Sequence, residues 1–292
     1  MQCLTYGRPC SLAVDPVEKK PFFHYLPGSR IFSLATVGCN LHCQNCQNWE
    51  ISQARPEEAP AHDLPPEQVP VLARQQGCAA VAYTYTEPLV CFEYTCDCAR
   101  ACREAGVRNA IVTAGYVNPE PLRQLCRVLD AVTLDIKAMS DPFYREVCGA
   151  SLAPVLRTIE ILLAEGVYLE LSNLVIPTCN DSDDMLRDLC RWVVAHAGAE
   201  TPFHFLRFFP LHEMTELPPT PVATLVRARE IAHAEGLRHV YVGNLDLPGG
   251  EDTACAGCGQ VLIRRRRYAI LENRLCDGAC PACGHAVHGV WK

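Results

Sequence analysis

The chain has 292 residues, 49% of them hydrophobic and 20% charged, with a net charge of -7. That length suits one large domain, or a large one with an appendage, and the mix excludes broad disorder and fibrous repeats. No apolar run approaches the ~20 residues a membrane span needs, and the acidic balance gives no general attraction to nucleic acid or anionic lipid.

The first residues, MQCLTYGRPCSLAV, lack a charged segment followed by a sustained apolar run, so a cytoplasmic protein is expected. Residues 1–29 read as a lead-in segment. From there to residue 245, short apolar runs alternate with longer amphipathic ones. Strands are predicted at 31–37, 79–85, 109–115, 131–137, 167–176, 203–209 and 239–243, rich in Val, Ile, Thr, Tyr and Phe. Helices are predicted near 66–76, 90–105, 119–128, 152–166, 182–197 and 221–236, with Gly106, Gly166 and Gly236 as stops. Repeated strand-helix alternation means an α/β fold with a parallel sheet. Six or seven units point to a partial (β/α)6-type TIM barrel over 30–245, with an open doubly wound sheet as the alternative. A barrel carries its chemistry at the C-terminal strand ends.

Past Gly249–Gly250 the pattern changes. Residues 253–292 are short in period, cysteine-punctuated and basic, with a net +4 against -11 for the remainder. They form a separate small module.

Nineteen cysteines are many for a chain too large to need a disulfide scaffold. Without a secretory signal, metal ligation is the stronger reading. Most of the scattered thiols, Cys91, Cys98, Cys102, Cys126, Cys148 and Cys190 among them, read as small core residues. Two groups do not. Cys39, Cys43 and Cys46 give C-x3-C-x2-C within one loop at the first strand end. Three thiolates leave one iron of a 4Fe-4S cluster open to an exogenous ligand. Zinc held with His42 or a distant ligand, or coincidence, are the competing readings. The second group is Cys255, Cys258, Cys280 and Cys283, two C-x2-C knuckles separated by 21 residues. That spacing fits a four-cysteine zinc ribbon, with a rubredoxin-like iron site as the alternative. Arg264 to Arg267 read as a solvated hairpin or a protein-partner surface rather than a nucleic-acid site.

The loop GCNLHCQNCQNWE after a first barrel strand resembles the radical S-adenosylmethionine (SAM) superfamily. The longer segment VDPVEKKPFFHYLPGSRIFSLATVGCNLHCQNCQNWEISQARPEE resembles the AmmeMemoRadiSam-system radical enzymes, relatives of the pyruvate formate-lyase activating enzymes, and the resemblance runs from about Tyr6 to Trp291. It implies that Cys39, Cys43 and Cys46 ligate the 4Fe-4S cluster and that S-adenosyl-L-methionine binds the open iron. Thr84 to Pro88 stand where the superfamily has a glycine-glycine-glutamate segment, with Tyr85 and Thr86 replacing the glycines, so Glu87 carries over as the contact to the methionine ammonium. Asp135–Ile136–Lys137 matches an Asp-Leu-Lys segment near the ribose and carboxylate. Pro210–Leu211–His212–Glu213 resembles Pro-Tyr-His-Glu and makes His212 a further cofactor contact. Asn45 stands where an aromatic residue is common, and Ala114 where the family has Asn. The family's N-terminal extension with its own cysteine motif is not reproduced by Cys3 and Cys10.

The implied reaction is reductive cleavage of S-adenosylmethionine, followed by hydrogen abstraction from a substrate that the sequence does not name. A one-electron donor such as ferredoxin or flavodoxin is implied, and Ammecr-type and Memo-type protein partners follow from the family name. Activation of a glycyl-radical enzyme is the alternative reaction. A metal-binding adaptor is the non-enzyme alternative.

Overall fold

A computed structural model describes residues 3–292. The elements follow in chain order as β1 (Ser11–Pro16), β2 (Arg30–Ala35), α1 (Trp49–Ser52), α2 (Val69–Gln75), β3 (Ala80–Tyr83), α3 (Phe92–Glu104) and β4 (Arg108–Thr113). Next come α4 (Pro119–Cys126), β5 (Ala131–Asp135), α5 (Asp141–Phe143), which runs into a π turn over Tyr144–Cys148, α6 (Leu152–Ala164) and β6 (Tyr168–Val175). The α/β part ends with α7 (Asp183–His196), β7 (Phe203–Arg207), α8 (Val222–Ala234) and β8 (Val240–Gly243). The tail adds β9 (Thr253–Ala254), β10 (Val261–Arg266) and β11 (Ala269–Asn273).

All seven expected strands form, as do the six expected helices. The helix ends carry the expected signals. Ser182 caps α7 by accepting from the Met185 amide, with Asp183 and Asp184 in the first turn and His196 in the last. Gly106, Gly166 and Gly236 follow α3, α6 and α8 with φ of 69°, 72° and 106°, the left-handed conformation that ends a helix cheaply only at glycine. One strand was not foreseen. β1 is an edge strand paired antiparallel to β2, from Ser11 opposite Ala35 to Pro16 opposite Arg30, and most of it is only half-buried.

The large sheet has eight strands in strictly sequential order, β1 to β8. From β2 to β8 every pair is parallel. A doubly wound sheet reverses its strand order at a switch point; this one does not, so that alternative falls. The tail forms a separate three-stranded sheet, β11-β10-β9.

Two packed regions hold the frame. The larger joins the helices to the outer faces of the strands. The smaller lies at the strand beginnings, where Ala80, Ala82, Ala110 and Ala131 leave room for Phe22 and Tyr25 of the segment between β1 and β2. The end of the chain is pinned to this same segment. Tyr25 bridges to Val290, the Leu26 amide donates to the Val290 carbonyl at 2.7 Å, and the Val290 amide donates to the His24 carbonyl at 2.7 Å. No single helix among the described residues is long and apolar enough to cross a membrane.

Candidate active site

Cys39, Cys43 and Cys46 leave β2 on a loop that opens at Gly38, whose φ of 104° is one a side chain rarely adopts. Backbone contacts fix the loop on three sides. The His42 and Gln44 amides donate to the Cys148 and Val147 carbonyls at 2.9 Å, and the Glu213 amide donates to the Gln44 carbonyl at 3.0 Å. Asn40 reaches the Tyr116 carbonyl and Asn48 the Tyr85 carbonyl, each at 2.7 Å, while Leu41 is fully buried beneath. A cysteine loop held this firmly presents its sulfurs in one arrangement, as a preorganised ligand set requires.

All three thiols line a central cavity of about 390 Å³. Glu87, Asp135 and Lys137 line the same cavity, at the ends of β3 and β5. Three residue groups distant in sequence therefore converge at the C-terminal strand ends. His212 does not join them. It adopts φ 59° with its ring stacked 5.2 Å from Trp49 of α1, half-buried and outside the cavity lining.

Glu87 is buried at 1% exposure and ties two strand ends together. It accepts from Thr113 Oγ1 at 2.8 Å, from the Ala114 amide at 2.8 Å and from the Leu89 amide at 3.2 Å. Burial pushes its carboxyl up to about 6 against these donors. Three donors occupy a group with about four acceptor positions, which leaves room for a ligand's N–H. Ala114 loses the side-chain amide expected of the family, yet its backbone N–H is what Glu87 uses.

Asp135 accepts from Ser172 Oγ and from Lys137 Nζ, the latter at 2.7 Å. Burial works against the Lys137 ammonium, but the adjacent Asp135 carboxylate outweighs it and holds the amine above its usual range. Asn173 and Asn180 fix the Lys137 carbonyl at 3.0 and 2.7 Å. The pair thus offers a fixed cation and a fixed acceptor side by side.

Tyr85 stands in the position of a family glycine and adopts φ 71°, the conformation a glycine there takes freely. Its hydroxyl donates to Asp15 at 2.5 Å. Asp15 also accepts from Lys19 at 2.7 Å, Lys20 at 2.8 Å and Ser33 at 2.9 Å. Burial raises this carboxyl, but the lysine and tyrosine donors win and hold it well below the usual carboxylate range. Neither Asp15 nor Cys148 was singled out by sequence. Cys148, read as a core thiol, is fully buried, and its backbone carbonyl takes the His42 amide of the cysteine loop at 2.9 Å. Only the fold brings these residues to the site, so no local spacing announces them.

The two cysteine groups differ in geometry. In the tail, Cys255 and Cys283 sulfurs are 3.6 Å apart, Cys258 and Cys280 sulfurs 3.7 Å, and all four lie within 4.8 Å of one another. A tetrahedral ion with 2.3 Å metal–sulfur bonds separates its sulfurs by about 3.8 Å, so the quartet fits a single zinc or iron. The loop thiols do not gather within 4.8 Å of one another. Three sulfurs spread around one cavity wall fit a cluster that distributes them over several irons better than a single ion.

Comparison with known proteins agrees with this geometry. The model of the Radical SAM superfamily matches residues 33–193. An uncharacterized protein of Methanocaldococcus jannaschii is 43% identical over 284 residues, 97% of this chain and 84% of that one. The pyruvate formate-lyase-activating enzyme of Clostridium pasteurianum is 28% identical over 58% of this chain and 73% of its own length. Among solved structures, a radical SAM methyltransferase from Sphaerobacter thermophilus superposes with a TM-score of 0.59 at 16% identity, covering 75% of this chain and 67% of that one.

Proposed function

The chain belongs to the Radical SAM superfamily, and from that premise we propose that Cys39, Cys43 and Cys46 carry its 4Fe-4S cluster while Glu87, Asp135 and Lys137 hold S-adenosylmethionine. The chain is an enzyme, and its family uses both cofactors. The observation that carries the residue assignment is convergence: all six side chains line one cavity.

When bound and reduced, the cluster supplies the electron that splits S-adenosylmethionine into methionine and a hydrogen-abstracting 5′-deoxyadenosyl radical. The residues do the rest. Lys137 offers its ammonium to a carboxylate, and Asp135 its remaining acceptor positions to a ribose hydroxyl. Glu87 keeps acceptor capacity for an ammonium. The cysteine loop and the cavity wall exclude water from the reacting carbon.

Strictly sequential parallel strands around a central cavity support the partial-barrel reading over 30–245, with 1–29 as its lead-in. Residues 253–292 are a metal-holding ribbon, zinc before iron. Placement with the AmmeMemoRadiSam-system enzymes and their Ammecr-type and Memo-type partners rests on the resemblance of the segment around the cysteine loop. Activation of a glycyl-radical enzyme is the second reading, favoured by the names of relatives that match just over half of the chain. A ferredoxin or flavodoxin supplies the electron in either case. Nineteen unpaired thiols support a reducing compartment such as the cytoplasm.

The test is deoxyadenosine formation by anaerobically purified, cluster-reconstituted protein given dithionite and S-adenosylmethionine. Wild type should form it, and Cys43→Ala should form none. No cofactor binding by an intact reconstituted wild type would sink the assignment in favour of the adaptor.

A further inference from the structure

The cavity extends beyond the proposed cofactor contacts. Its other wall carries Glu18, Lys20, His204, Asn244, Glu251 and Tyr268. All six lie outside the 33–193 span that matches the superfamily. This wall therefore belongs to what distinguishes the chain from the superfamily at large, as a substrate wall should.

Its hydrogen-bonding capacity is one-sided. The cationic and amide donors are already engaged: Lys19 and Lys20 Nζ are bound to Asp15 at 2.7 and 2.8 Å, His204 Nε2 to Glu170 at 2.8 Å, and Asn244 Nδ2 to the Arg207 carbonyl at 3.2 Å. The acceptors are not. Glu18 is 2% exposed; its Oε1 takes the Gly28 amide at 2.7 Å, and its Oε2 is buried with no partner. Glu251 is 7% exposed and lines the cavity, with the Arg267 backbone N–H as the one donor beside its carboxylate. Burial pushes it up to about 7. Arg265 and Arg267 are the nearby cations, and neither guanidinium is hydrogen-bonded to the two carboxylates: the Arg265 terminal nitrogens donate to the Glu251 and Phe23 carbonyls and to Thr253 Oγ1, and its Nε is unpaired. Buried acceptors without donors are costly, and a ligand that supplies the donors recovers that cost. Tyr268 adds an aromatic ring at the same wall, a surface that favours cations.

We propose that this wall is the substrate subsite and that it takes a protonated amine, received by Glu251 and Glu18. The proposal rests on the cofactor reading for the rest of the cavity.

The experiment titrates the cluster-reconstituted protein, with S-adenosylmethionine bound, against benzylammonium, benzyl alcohol and phenylacetate, followed by ligand-observed NMR. Benzylammonium should bind about tenfold tighter than either control, the scale of one charge-assisted hydrogen bond in a buried site. Glu251→Gln should reduce that preference about tenfold and leave S-adenosylmethionine affinity unchanged; Glu18→Gln, measured separately, should reduce it too. Equal binding of the three probes, a preference for phenylacetate, or a preference unaltered in both variants overturns the proposal. Failure of the cofactor reading is distinguishable, because it shows as absent S-adenosylmethionine binding in wild type, while amine preference is still read on the protein without it.

Discussion

Glu87 shows how one side chain joins fold to chemistry. It clamps the β3 end to the β4 end through Thr113 and Ala114, and its burial raises the carboxyl from 4.5 to about 6. Between those pH values the folded chain keeps a proton that the unfolded chain has released. Stability is therefore full below about 4.5, falls as pH rises through about 6, and is flat above. The shift corresponds to about 2 kcal/mol. Glu87→Gln should abolish that component, measured as the denaturation midpoint from pH 4 to 7.5, and should weaken S-adenosylmethionine binding at neutral pH. An unchanged pH profile in the variant would locate the titration elsewhere. Tyr85 carries a second lesson. The sequence replaces a family glycine, yet the backbone keeps the glycine conformation, and the phenol hydroxyl anchors Asp15. Tyr85→Phe should cost about 2 kcal/mol, the worth of a hydrogen bond to a charged group, read by chemical denaturation.

At the scale of elements, the legible parts are those whose pattern is local. β2 to β8 are mostly buried apolar runs, α7 carries a serine cap, and α3, α6, α7 and α8 are followed by positive-φ glycines, so sequence alone locates them. β1 escapes notice because it is a half-buried edge, with Asp15 turned inward to lysines and a tyrosine rather than packed on apolar neighbours. The site divides the same way. Spacing announces both cysteine groups, whereas Asp15 and Cys148 acquire meaning only from partners far along the chain, and Glu18 and Glu251 only from the cavity they line. The tail sheet is likewise a local unit with long-range consequences. Its core is small, built around Leu262, Ile263 and Val287 beside Cys255 and Cys280, so a metal held by the four cysteines would supply much of its stability. Chelating that metal, or substituting Cys258→Ser, should melt β9 to β11 first. Hydrogen exchange should rise there and over residues 24–29, which the tail pins, while β4 to β6 stay protected. Uniform protection after confirmed metal loss would mean that packing alone holds the tail.

The whole molecule is a sheet with two edges, β1 and β8, and the tail closes on the lead-in segment rather than standing apart. Arg265 of β10, 6% exposed, reaches the Phe23 carbonyl at 2.6 Å. His24, fully buried, holds the His288 carbonyl at 2.7 Å and the Tyr241 hydroxyl at 2.5 Å, and Arg108 donates to the Lys292 carbonyl at 2.6 Å. Removing the tail leaves several of these buried groups without partners, at roughly 1–3 kcal/mol each, and uncovers the Phe22 and Tyr25 cluster beneath. A chain ending at residue 252 should therefore melt about 10 °C or more below the full chain by calorimetry, since each kcal/mol is about 2–4 °C at this size. The cavity should suffer with it, because Tyr268 of the tail is part of its lining. A truncated chain that melts at the full-length temperature would instead make 253–292 an independent unit and return the ribbon to a purely external role.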